Sequence, residues 1–111
     1  MAKVICFDID GVLTLEADTD HQDLAGTYAT RNVNPEAKRL INQAVDSGWT
    51  VTLYTGRKEG VRKLTENWLF ANGIEYHFLF MDKPYFTYFV DDRCRSLEEI
   101  DNIVNDGKTS P

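Results

Sequence analysis

The chain has little cross-linking or metal-ligating chemistry to draw on, with two cysteines and two histidines in 111 residues. Cys6 lies inside an apolar run and Cys94 between two arginines. Such a pair makes no disulfide framework, and reduced thiols in a cytoplasmic protein are expected. His21 and His77 have no neighbours at ligand spacing and read as bystanders. No apolar run approaches the ~20 residues that cross a bilayer. Lys3 leads straight into a short strand with no hydrophobic leader, so no signal peptide is expected. Positive charge is not in excess either. Twelve Lys and Arg stand against eighteen Asp and Glu, and the net charge of −6 argues against non-specific nucleic-acid binding. Repeats, linkers and low-complexity tracts are absent, so residues 1–107 are expected to form one domain, with 108–111 a frayed tail.

What is present alternates between strands and helices. Val4-Ile5-Cys6-Phe7 is a short apolar run that breaks into Asp8-Ile9-Asp10-Gly11, a buried strand entering a turn. Asn34-Pro35 is an N-cap followed by proline at the first helical position. Ala37, Leu40, Ile41, Ala44 and Val45 then form one apolar stripe that stops at Gly48. Val51 to Tyr54 reads as a second strand ending at Thr55-Gly56-Arg57. A helix carrying Val61, Leu64, Trp68 and Leu69 follows and closes at Asn72-Gly73. Phe78 to Met81 and Tyr88-Phe89-Val90 are expected as third and fourth strands, the last ending at Asp91-Asp92. Ser96 and Glu99 form a capping box for a final helix with Leu97, Ile100, Ile103 and Val104 inward. This order predicts an α/β fold, a three-layer sandwich around a small parallel sheet.

Two stretches resist the scheme. Only residues 82–87 separate the third and fourth runs, whereas parallel neighbours normally need a crossover of about a dozen residues. The third run is then a short edge piece, or the link is a single helical turn. Residues 15–34 hold few strong hydrophobes and several acids, and a loop this long reads as a flap over a site. Tyr28 and Arg31 within it are candidates to bind a hydroxylated, anionic ligand. Tyr85, Phe86, Tyr88 and Phe89 crowd one segment, as core packing or as an aromatic rim for a substrate or a partner subunit.

Ligands of open α/β sheets bind beyond the carboxyl ends of the strands, where Asp8, Asp10, Thr55, Asp91 and Asp92 are all expected. Two carboxylates one residue apart repel unless a cation lies between them. A hard cation such as Mg²⁺ suits them and leaves one carboxylate free to attack. With Lys83, the set Phe7-Asp8-Ile9-Asp10-Gly11-Val12-Leu13-Thr14, Leu53-Tyr54-Thr55-Gly56-Arg57 and Phe89-Val90-Asp91-Asp92 resembles the haloacid dehalogenase (HAD) superfamily over nearly the whole chain.

That resemblance implies a Mg²⁺-dependent phosphatase that hydrolyses a phosphomonoester through an aspartyl-phosphate. Asp8 is the implied nucleophile and Asp10 the acid and base. Thr55 and Lys83 join them as catalytic groups, and Asp8, Asp10, Asp91 and Asp92 form the metal set. Thr55, Gly56, Arg57, Lys83 and Arg93 are the implied phosphate- and substrate-binding residues. The chain has no room for a cap domain after the first or second motif. Capless members act on bulky substrates or form homo-oligomers in which a neighbouring copy covers the open site. Small capless proteins of capsule and surface-polysaccharide synthesis share the Lys-Pro-Tyr stretch, which suggests a sugar phosphate as the small phosphorylated substrate. Those proteins often carry an aspartate where Thr87 stands. Two alternatives are a catalytically silent binding or regulatory protein on the same fold and a phosphotransferase. A response-regulator receiver domain combines similar residues, but its acid pair follows the first strand and its acceptor comes later.

Overall fold

The computed structural model describes residues 3–17 and 25–105. Three short strands, β1 (Val4–Phe7), β2 (Thr50–Tyr54) and β3 (Phe78–Phe80), form one parallel sheet in the order β1-β2-β3. Cys6 lies opposite Thr52, and Thr52 opposite Phe78. Helices α1 (Ala25–Ala29), α2 (Pro35–Asp46), α3 (Arg62–Ala71) and α4 (Leu97–Asn105) complete the set, with a 3₁₀ turn at Glu59–Val61 leading into α3.

Strand alternation decides where the core sits. Ile5, Phe7, Val51, Leu53 and Leu79 turn to one face and are buried against Ala37, Leu40, Ile41 and Ala44 of α2, Leu69 of α3 and Val104 of α4. Each such side chain contributes roughly 1.5–3 kcal/mol when fully buried. On the other face Val4, Tyr54, Phe78 and Phe80 are exposed. The expected α/β class and small parallel sheet therefore stand, with helices α2, α3 and α4 contributing to the core on the face of Ile5, Phe7, Val51, Leu53 and Leu79.

The expected fourth strand is not formed. Residues 88–90 pair with nothing, and Tyr88 and Val90 are 87% and 95% exposed. Strand preference is largely a packing preference. The 82–87 link supplies no helix to cover that side, so this apolar run has no layer to pack on.

Both predicted caps are present. The Asn34 carboxamide accepts from Glu36 and Ala37 N–H at 3.1 and 3.4 Å and donates to the Val12 carbonyl at 3.1 Å. Ser96 and Glu99 exchange backbone-to-side-chain bonds of 2.8 and 3.1 Å. The 15–34 stretch is less of a flap than expected. Leu15 N–H bonds to Asn32 O, Asn34 N–H bonds to Leu13 O, and a Thr14–Val33 bridge ties its two ends together. Within it, α1 packs on α3 and Tyr28 is buried. His77 is a structural residue whose Nδ1 accepts the Val51 N–H at 3.0 Å. His21 and the 108–111 tail lie outside the described residues.

Asn34 thus closes a helix and holds the first motif's loop at once. Asn34→Ala is expected to lower unfolding free energy by about 1–2 kcal/mol, read from the urea midpoint. Asn34→Asp, which keeps the cap but loses the donor to Val12, should fall between the two. Equal midpoints for all three proteins would show that neither bond contributes.

Candidate active site

The cleft opens where β1 and β2 end. Beyond Phe7 the chain turns tightly, with Ile9 O accepting from the N–H groups of Val12, Leu13 and Thr14. Gly11 takes φ +88 there, a conformation that costs residues with a Cβ. Its N–H donates to Glu16 O and to Thr14 Oγ1. This turn sets Asp8 and Asp10 on the floor of a cleft of about 330 Å³. Ala17, Gly56, Lys58, Asp82, Lys83, Pro84, Tyr85 and Phe86 complete its lining.

Asp8 Oδ1 accepts the Ile9 N–H at 2.8 Å and lies 3.2 Å from Lys83 Nζ. No described residue bonds to its Oδ2. Burial pushes the Asp8 carboxyl above its ordinary value, against the lowering effect of Lys83. Lys83 reaches this position because Asp82 adopts φ +61, a left-handed conformation that Asp tolerates better than most residues. Asp82 N–H then donates to Arg57 O at 2.8 Å and Lys83 N–H to Thr55 O at 2.9 Å, stitching the loop after β2 to the chain after β3.

Asp10 is held differently. Arg57 grips it with a fork, Nε to Oδ2 at 2.9 Å and Nη2 to Oδ1 at 2.8 Å, and Arg31 Nη1 adds a contact at 3.3 Å. The Asp10 side chain is 6% exposed and that of Arg57 not at all. Arg57 Nη1 also donates to Thr65 Oγ1 at 3.1 Å, and its guanidinium lies 4.0 Å from the centre of the Tyr28 ring. Arg57 was expected to bind substrate. Sealed from solvent, it instead positions Asp10. Tyr28 and Arg31, also expected to meet a ligand, are part of the same strut.

Thr55 is buried, and its hydroxyl oxygen accepts the Arg57 N–H at 3.1 Å. Gly56, rather than Thr55, lines the cleft. Arg93, Asp91 and Asp92 are not brought to the cleft. Arg93 folds back on Asp91 at 2.9 Å and approaches Asp92 at 3.6 Å. Its hydrogen bonds hold the Asp91 carboxyl down to about 2. The expected four-acid metal set is therefore divided, and no cluster of three His, Cys, Asp or Glu able to hold a metal occurs among the described residues. Asp82 and Lys58 were not anticipated at the site; a turn with positive φ leaves no distinct mark in the sequence Met-Asp-Lys. A wider hollow of about 580 Å³, lined by Leu64, Asn67 and Trp68 among others, brings no acid and base together.

The cleft lining carries Lys58 and Lys83 beside Asp8, Asp10 and Asp82, and Arg57 and Arg31 bond to Asp10 without lining the cleft themselves.

No protein-family model matches the chain, and no curated protein matches it. Solved structures do. An MCSG target from Vibrio cholerae is similar with TM-score 0.69 at 18% identity, over 95% of this chain and 98% of that one. A chain of the Pnkp1/Rnl/Hen1 RNA repair complex is similar with TM-score 0.61 at 28% identity, over 96% of this chain and 30% of that one. D,D-heptose 1,7-bisphosphate phosphatase from B. bronchiseptica, crystallised with magnesium and phosphate, gives 0.52 at 20% identity, over 97% and 64%. The chain thus spans under a third of the RNA-repair protein and just under two thirds of the heptose bisphosphate phosphatase. Together these likenesses establish a HAD-like α/β fold.

Arg57→Ala, which strands Asp10 without its fork, should destabilise the protein by about 3–5 kcal/mol. Arg57→Lys should recover only part of this, since an ammonium supplies neither the fork nor the flat face against Tyr28. Urea denaturation reads both, and a wild-type midpoint for Arg57→Ala would mean that the pair does not support the fold.

Proposed function

We propose that this chain hydrolyses a phosphomonoester through an aspartyl-phosphate on Asp8, with a sugar phosphate among the candidate substrates. The observation that carries this reading is the state of Asp8. One of its oxygens is fixed by Ile9 N–H and Lys83, and the other, in the same cleft, has no partner among the described residues. A carboxylate so placed can act as a nucleophile.

In the first step the free Asp8 oxygen attacks phosphorus, the bond to the leaving alcohol breaks, and a proton passes from Asp10 to the leaving oxygen. In the second step water attacks phosphorus, Asp10 takes its proton, and the Asp8 carboxylate is released with inorganic phosphate. Lys83 balances charge on Asp8 and on the transferring group throughout. Both Asp10 oxygens accept from arginines, so the proton-carrying form has to give up one bond; the Arg31 contact is the longest, at 3.3 Å. Arg57 keeps the carboxyl in place while that exchange occurs.

The donors present suit Mg²⁺, which takes one or two carboxylates and completes its shell with water and substrate phosphate. One oxygen of the Asp8 carboxylate and the Asp10 main-chain carbonyl would hold it, leaving the other Asp8 oxygen to attack. When bound, the ion lets an anionic nucleophile approach an anionic phosphoryl group. Asp91 and Asp92 are the further acids that the resemblance implies for this shell; in the structure they lie apart from it, paired with Arg93.

Asp8→Asn should abolish turnover of an aryl phosphate by several orders of magnitude while leaving the urea midpoint near that of wild type. Retention of a tenth of the activity would exclude an aspartyl-phosphate at this residue. Asp91→Asn should raise the Mg²⁺ concentration for half-maximal rate about tenfold, the equivalent of about 1.4 kcal/mol. An unchanged Mg²⁺ dependence would keep the shell to Asp8 and Asp10.

A further inference from the structure

Resting on the phosphatase reading above, we infer that the cleft takes a phosphomonoester whose alcohol carries a planar aromatic ring, as a nucleoside monophosphate does, and that Phe86 stacks on that ring. The cleft has two chemically distinct parts. Its floor is ionic, with Asp8, Asp10, Lys58, Asp82 and Lys83, whereas one wall is Pro84, Tyr85 and Phe86. Phe86 is 41% exposed. Phe89 stacks behind it, centroids 5.0 Å apart and planes 25° apart, so one face is backed and the ring's orientation is set.

The wall and the nucleophile are within one substrate's reach. Lys83 Nζ lies 3.2 Å from Asp8 Oδ1 and 5.9 Å from the Phe86 centroid, which end to end bound the separation at about 9 Å. A phosphoryl group seated ~3 Å from the nucleophile leaves a gap that a pentose spans before the ring begins. Aromatic pairs settle with centroids 4.5–7 Å apart, and Phe86, lining the cleft at 41% exposure with the Lys83 ammonium over its ring, keeps accessible ring surface for such a contact. A polyhydroxylated alcohol fits this wall poorly, since Pro84, Tyr85 and Phe86 together present one side-chain hydroxyl to its several. A flat ring asks for little more than an apolar face, and every nucleobase has one.

The discriminating measurement is kcat/KM for adenosine 5′- and 3′-monophosphate against glucose 6-phosphate and β-glycerophosphate. Wild type is expected to favour an adenosine monophosphate at least tenfold. Phe86→Ala should cut that preference at least fivefold, the lower end of what removing a base–aromatic stack costs, and Phe86→Tyr should restore it. Equal kcat/KM on all substrates, or equal losses on all of them in Phe86→Ala, would overturn the inference and leave Phe86 as a support for Lys83. If nothing is hydrolysed, the phosphatase reading fails by itself. Calorimetric titration of the same compounds then tests the ring: binding that needs the adenine and is lost in Phe86→Ala sustains the inference, and binding blind to the adenine overturns it. A 3′-phosphorylated oligonucleotide separates the two sources of such a ring. A kcat/KM tenfold above the mononucleotide, falling steeply with salt, assigns the wall to a strand end, and a value at or below the mononucleotide's assigns it to a free nucleotide.

Discussion

The fork between Arg57 and Asp10 is the contact on which the site's construction depends. A guanidinium removed from water costs several kcal/mol unless its donors find partners, and here three nitrogens do: Nε and Nη2 on Asp10, Nη1 on Thr65. The flat face is met by Tyr28. Those partners come from the turn after β1, from α3 and from α1, while Arg57 itself follows β2. One side chain therefore fixes the relative placement of four segments. Replacing Arg57 with an apolar residue would leave Asp10 without the fork that orients it.

The same pair divides two similar acids into two roles. Asp10 is enclosed, with both oxygens accepting from fixed donors. Asp8 is more open, has one committed oxygen, and feels burial more strongly than the compensating charge of Lys83. Environment rather than residue type separates the two acids. Cys6, one turn of the pleat earlier on β1, is moved the same way as Asp8: burial pushes its thiol up against the lowering effect of Lys83.

Much of this was legible from local patterns. The stripe on α2, the Asn34 cap, the Ser96–Glu99 box and the three strands each follow from a period or a cap confined to a few residues. The meeting of Asp8 with Lys83 was legible through motif order. The sequence was silent where the outcome depends on what packs over a segment. Arg57 reads as a substrate-binding residue in Thr-Gly-Arg, because nothing nearby reveals that Tyr28 and Thr65 will close over it. Tyr88-Phe89-Val90 reads as a strand by composition, yet composition carries no information about the missing helix that would cover it. The short 82–87 link was the one local sign of that difficulty.

That short link has consequences on both sides of the cleft. Parallel sheets are ordinarily covered on both faces because each crossover brings a helix. A six-residue link brings none, so Tyr54, Phe78 and Phe80 remain exposed with Phe78 and Phe80 stacked 6.5 Å apart. The ammonium of Lys83 lies 5.5 Å from the Tyr54 ring and 5.9 Å from that of Phe86, joining this uncovered sheet face to the aromatic wall of the cleft. The ammonium that faces Asp8 is thus seated between two exposed rings. Anything that covers either ring excludes water from Lys83 and strengthens its attraction for Asp8.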